Sequence, residues 1–159
     1  MNLKEYIFEH FKNVVVFDFE FRQRPGENPE PVCCTFKELK SGKQFTHWYL
    51  SEIHDWPFEN KDTLYICHSA VAEVSCMLEL GLGVPDFVWD TYVQDMKLQR
   101  GIENKFSLLE CCKRFGIKTI SETQKGVYRD LIVENYPNYT DTEKQKIIEY
   151  NVSDVVENE

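Results

Sequence analysis

The chain of 159 residues has no long apolar run. None of its segments approaches the roughly 20 consecutive apolar residues that a membrane span requires, which argues against a transmembrane protein. The first residues, "MNLKEYIFEHF", alternate charge with apolar side chains and lack the uninterrupted apolar core of a signal peptide. Met1 and its neighbours fit a genuine N-terminus, and a soluble intracellular protein is the expectation. No CxxC or CxxH pair occurs: the six cysteines fall as Cys33-Cys34, Cys67, Cys76 and Cys111-Cys112. That spacing argues against a zinc site and fits buried, reduced thiols in a cytosol-like compartment. In such a compartment the N-x-S/T matches at Asn138 and Asn151 read as chance. Positive charge is scarce as well, with 18 basic against 27 acidic residues and a net charge of −9. A module that holds nucleic acid by charge alone is disfavoured, because phosphate contacts need Lys and Arg. An enzyme whose carboxylates hold cations is not. No internal repeat or interdomain linker is visible, so residues 1–159 read as a single domain.

What the chain does have is a strong sheet signal followed by helices. Apolar residues make up 42% and aromatics 14%, enough for a real core. "KNVVVFDFEF" reads as a central strand, its "VVVF" run buried on both faces. A polar turn through Pro25-Gly26 and Asn28-Pro29 leads to "VCCTFKEL" and "KQFTHWYL", two strands joined at residues 40–43. "TLYICH" is a short buried strand. "SAVAEVSCMLELGLG" is a helix with Ser69 as N-cap and Gly81 or Gly83 as stop. "PDFVWDTYV" reads as a further strand and "QDMKLQRGIENK" as mixed. "SLLECCKRFGI" is an amphipathic helix between Ser107 and Gly116, and "GVYRDLIVENY" a helix up to Pro137. The last helix opens on the capping box Thr140-x-x-Glu143. Its expected apolar stripe is Ile148, Val152 and Val155, with Tyr150 and Asp154 on an adjacent face. The fold class is α/β: three antiparallel strands, then parallel strands, flanked by helices.

Three features carry chemistry. Asp18 and Glu20 alternate with Phe19 on a strand, so both carboxylates face the same way, which is costly without a positive partner. "HSAVAE", from His68 to Glu73, places a carboxylate about one turn into a helix. Tyr150-x-x-x-Asp154 puts a phenol and a carboxylate side by side on the C-terminal helix. Carboxylates are the ligands that Mg²⁺ and Mn²⁺ prefer, and two such ions can serve both oxygens of a phosphodiester displacement.

In this combination the chain resembles the DEDDy branch of the 3′–5′ exonucleases, on the ribonuclease H-like fold. The first motif of that branch is matched by "FDFEF" and the third by "YNVSD". The second, His-Asn-Ala-x-x-Asp, is matched by "HSAVAE" with departures at Ser69 and Glu73. "RQRPGENPEPVC" with "ELKSG" is similar to phage-encoded DNA polymerase I-type proteins. "WDTYVQDMKL" and "FSLLECCKRFGI" resemble intermediate segments of the family.

The resemblance implies a metal-dependent exonuclease acting on a single-stranded or frayed 3′ end, DNA ahead of RNA, in proofreading or DNA processing. It implies two divalent cations, Mg²⁺ or Mn²⁺, with Asp18, Glu20 and Asp154 as metal ligands. Glu73 would reach the second ion through water. Tyr150 would orient the attacking water, and aromatic residues around Phe19 and Phe21 would stack on terminal bases. A polymerase, attached or associated, is an expected partner, a membrane is not, and the cytoplasm of a bacterial or phage-infected cell is the expected location. Two alternatives stay open: a catalytically weakened module that binds nucleic acid or a protein, and an RNA-directed 3′–5′ exonuclease.

Overall fold

A computed structural model describes residues 2–49 and 56–159. The expected strand end at Leu50 lies outside the described residues. Five strands form one sheet in the order β3-β2-β1-β4-β5, with β1 (Asn13–Arg22) at its centre. β2 (Glu30–Glu38) and β3 (Gln44–Trp48) continue from it as an antiparallel meander. On the other side β4 (Thr63–Cys67) and β5 (Phe87–Asp90) run parallel to β1. The expected order of antiparallel and then parallel strands is the observed one.

Val14, Val15, Val16 and Phe17 are fully buried, as the apolar run required of a strand covered on both faces. Odd-numbered β1 residues, Val15, Phe17 and Phe19, join Cys76 and Met77 of α2 (Ala70–Glu79) in one core. On the opposite face Val32, Cys33 and Trp48 pack with Ile132, Ile147 and Tyr150 of the helices α5 (Glu122–Glu134) and α6 (Asp141–Asn158). Glu20 lies across from Cys33 in the β1–β2 ladder, and cross-strand partners share a face. The even-numbered carboxylates therefore look toward α6.

Several boundaries differ from the sequence expectation. A helix, α1 (Leu3–His10), begins at a capping box between Asn2 and Glu5. The strand expected over residues 85–93 covers only Phe87–Asp90. Asp90 accepts from the backbone N–H groups of Tyr92 and Val93, and this cap turns the chain into α3 (Thr91–Gln99). α4 (Leu108–Phe115) is capped by Ser107 and closed by Gly116, as expected. α5 starts earlier than Gly126, because Ser121 and Gln124 form a capping box.

The stripe Ile148, Val152 and Val155 is not the buried face of α6. That face holds Ile147, Tyr150, Asn151, Asp154, Val155 and Glu157. Apolarity alone does not reveal it, because half of its members are polar groups that find partners only in the folded molecule. Among the described residues no helix is long and apolar enough to cross a membrane.

Candidate metal and catalytic site

The site arises from a mismatch in strand length. β4 pairs with β1 only from Asn13 to Val16, so the second half of β1 has no partner on that side. The crevice left open there is the switch point at which β1 has an antiparallel neighbour on one side and a parallel one on the other, where α/β sheets characteristically place ligands. A cavity of about 490 Å³ occupies it, lined by Asp18, Glu20, Glu73, Tyr150 and Asp154 together with His68 and Arg129. All five expected site residues are thus brought to one place.

Three of them converge most closely. Asp18, Glu20 and Asp154 each offer a carboxylate oxygen, and these oxygens lie within 4.8 Å of one another. Asp18 is held by Asn151, whose Nδ2 donates to the Asp18 carbonyl at 2.9 Å and to its Oδ2 at 2.8 Å. Burial, followed by the charge of Asp154, pushes the Asp18 carboxyl well above its ordinary range. Glu20 is raised by burial and then by Asp18 and Asp154. Asp154 is raised by burial too, against the opposing pull of Lys125. Burial raises all three, and the charge of Asp154 adds to the shift of both Asp18 and Glu20, as a crowded carboxylate site does.

Lys125 lies behind the cluster. Its Nζ donates to Asp154 Oδ1 at 2.7 Å and to Glu157 Oε2 at 2.8 Å, and the side chain is almost fully buried. It does not line the cavity, so it fixes Asp154 from the protein side.

Glu73 does something different from the trio. It is 4% exposed, and its Oε2 accepts the Phe19 backbone N–H at 2.7 Å. That N–H belongs to the stretch of β1 without a β4 partner, so Glu73 satisfies a donor the sheet leaves over. Its other oxygen has no hydrogen bond among the described residues. Burial and then the charge of Asp18 raise its pKa.

Tyr150 is 4% exposed and stacks on Tyr128, with ring centroids 5.2 Å apart. Burial and the charge of Glu20 raise its phenol, which keeps it protonated and able to donate a hydrogen bond. Its hydroxyl favours the charged form of Asp154.

The turn between β4 and α2 is built by a residue other than the expected cap. Ser69 occupies the N-cap position, but its φ is 75° and its side chain makes no capping bond. Asp90 reaches over instead, accepting from the N–H groups of Ser69 at 3.0 Å and Ala70 at 2.9 Å. One carboxylate therefore caps both α2 and α3. His68 is a positioned structural residue, with Nδ1 3.0 Å from Thr91 Oγ1 and Nε2 2.8 Å from the Phe106 carbonyl.

The stacking expected around Phe19 is corrected: it is 3% exposed and stacks on Tyr49 and Trp56 inside the core, while Phe21 remains partly exposed at the cavity. Asn151 is fully buried, which removes it as a glycan acceptor.

Sequence reasoning does not find Asn151, Lys125 or Asp90. A signal for the first is present, since Asn is a poor residue for a helix interior and here sits next to Tyr150. Nothing in the order of residues pairs Lys125 with Asp154 or Asp90 with Ser69.

Fold and site together define an α/β domain with a five-stranded mixed sheet and an acidic cluster at the sheet's switch point. No protein-family model and no curated protein sequence matches the chain. Solved structures do match. Escherichia coli RNase D, an exoribonuclease involved in structured RNA processing, is similar with a TM-score of 0.64 and 16% identity, over 98% of this chain. This chain spans 38% of that RNase D chain. Another nuclease, in its apo form, is similar with a TM-score of 0.67 and 13% identity, over 99% of this chain and 72% of its own. Brucella melitensis NrnC with bound Mg²⁺ is similar with a TM-score of 0.64 and 16% identity, over 94% of this chain and 70% of its own. NrnC bound to pGG matches with a TM-score of 0.63. At these identities the likeness establishes the fold.

Proposed function

We propose that this chain is a metal-dependent 3′–5′ exonuclease of the DEDDy type, hydrolysing phosphodiester bonds at a nucleic-acid 3′ end. The observation that carries the reading is the trio Asp18, Glu20 and Asp154, with carboxylate oxygens within 4.8 Å of one another at an open cavity. Three converging hard oxygen donors, with Asp154 raising the pKa of both Asp18 and Glu20, suit a divalent cation. Asp18, Glu20 and Asp154 would hold such ions, and Glu73 keeps one oxygen free to serve through water. When bound, divalent cations supply charge neutralisation at the phosphate and a nucleophile at neutral pH.

The chain's own residues have separate tasks. Asn151 fixes Asp18, Lys125 fixes Asp154, and Glu73 fixes the backbone between the two β1 carboxylates. The protonated phenol of Tyr150, beside Asp154, would hydrogen-bond and so orient the attacking water, which is positioning rather than base catalysis.

RNA is the first substrate to test, since one similar fold is an exoribonuclease and that fold covers nearly all of this chain. Single-stranded DNA, the substrate suggested by the polymerase-like "RPGENPEPVC" segment, is the second, and an associated polymerase belongs with that reading.

The test uses RNA and DNA oligonucleotides labelled at the 5′ end, with Mg²⁺, Mn²⁺ or EDTA. Wild type is expected to produce a ladder shortening from the 3′ end that needs metal and is lost in Asp18→Ala. Tyr150→Phe is expected to slow cleavage by about 10²-fold, the scale of a misplaced reactant. A folded wild type that cuts neither substrate in either metal overturns the reading.

A further inference from the structure

The acidic cavity has to admit a polyanion, and most cations around it are already engaged. Lys125 is held by Asp154 and Glu157, Arg114 by Asp95, and Arg22 by Glu30. Arg129 differs. It lines the cavity from α5, its side chain is exposed, and it makes no ion pair or hydrogen bond among the described residues. A helix places residues four apart on one face, so Arg129 shares its face with Val133, which is 50% exposed and lines the same cavity. A guanidinium beside an apolar wall matches one nucleotide unit: a phosphate, with a sugar and base next to it.

We propose that Arg129 is a substrate-binding residue, bonding the phosphate one nucleotide 5′ of the scissile one, with the exposed Val133 against the attached nucleoside. This rests on the exonuclease reading. Exposure argues for the neighbouring phosphate rather than the reacting one: Glu20 and Asp154 are buried and Asp18 is half-buried, whereas Arg129 is exposed. The fork of a guanidinium suits non-bridging phosphate oxygens, and an unpaired one has no internal bond to break before it binds.

The contact serves binding, so Arg129→Ala is expected to raise KM about 10-fold for a short RNA in Mg²⁺, with kcat within about 3-fold. Arg129→Lys should recover part of the loss. The salt dependence of RNA binding, followed by fluorescence anisotropy in EDTA, should become shallower by about 0.7 in log–log slope, the value for one phosphate contact on a single strand. Calorimetric titration with Mn²⁺ alone should be unchanged, which separates a substrate contact from an effect on the carboxylates.

An unchanged KM and salt slope in Arg129→Ala overturns the proposal. So does a fall in kcat accompanied by altered Mn²⁺ binding. If wild type cleaves nothing, the exonuclease reading has failed on its own, and the anisotropy arm still decides: RNA binding that weakens in Arg129→Ala with a shallower slope supports the contact, and any other result removes it.

Discussion

At the scale of single residues, the length of the Glu73 side chain has a structural use. The backbone N–H of Phe19 is left over by the short β4, and Glu73 reaches it at 2.7 Å. Glu73→Asp withdraws that acceptor by one methylene and strands a buried donor. The expected loss is about 1–3 kcal/mol of stability, measured by urea unfolding, the usual cost of an unsatisfied buried polar group. Cleavage should fall as well, because the backbone that carries Asp18 and Glu20 loosens. Unchanged stability in Glu73→Asp would show that the Phe19 contact is incidental. Asn151 acts at the same scale: one bond to the Asp18 carbonyl and one to its Oδ2 set the carboxylate's orientation before any cation arrives.

At the scale of elements, the β4–α2 turn and the β5–α3 turn are one construction. Asp90 accepts from Ser69 and Ala70 on one side and from Tyr92 on the other, closing two helix N-termini with one side chain. Each terminus also benefits from a negative charge beside the helix dipole. Asp90→Ala removes both caps together, and about 2–4 kcal/mol of destabilisation is expected from two caps of up to about 2 each. Circular dichroism during chemical unfolding measures it; a loss below about 0.5 kcal/mol would contradict the double cap. The same substitution should lower activity, since α2 carries Glu73 into the cavity.

At the scale of the whole molecule, the carboxylate cluster links stability to pH and to cations. Asp18, Glu20 and Glu73 all have folded-state pKa values raised first by burial and then by neighbouring carboxylates, Asp154 among them in each case. Above the ordinary carboxylate range, roughly pH 4, the unfolded chain has released protons that the folded chain still holds. The folded state then binds more protons, and stability falls as pH rises toward the raised folded values. Thermal unfolding in EDTA between about pH 5 and pH 8 is expected to show this decline, less steeply in Asp18→Asn than in wild type. Mn²⁺ should act in the opposite direction, stabilising more at higher pH because its ligands must be deprotonated. At 100-fold excess over its Kd it should add about 2.7 kcal/mol. Equal pH slopes for wild type and Asp18→Asn would contradict the coupling.

Much of this is legible in the order of residues. The run Val14 to Phe17 marks a strand buried on both faces, and alternation alone puts Asp18 and Glu20 on one side of it. Ser107 with Gly116, and Thr140 with Glu143, mark helix ends by local chemistry. Tyr150 and Asp154 are neighbours because four residues make about one turn. These are short-range consequences of backbone geometry, and they need no knowledge of what packs where.

What only the tertiary structure decided involves partners far apart in the chain. Lys125 meets Asp154 29 residues on, Asn151 meets Asp18 across 133, and Glu73 meets Phe19 across 54. The buried face of α6 departs from its apolar stripe for the same reason: its polar members are stable there only because those distant partners exist. Periodicity determines which way a side chain points, whereas the sheet order and the mismatch between β1 and β4 determine what it points at.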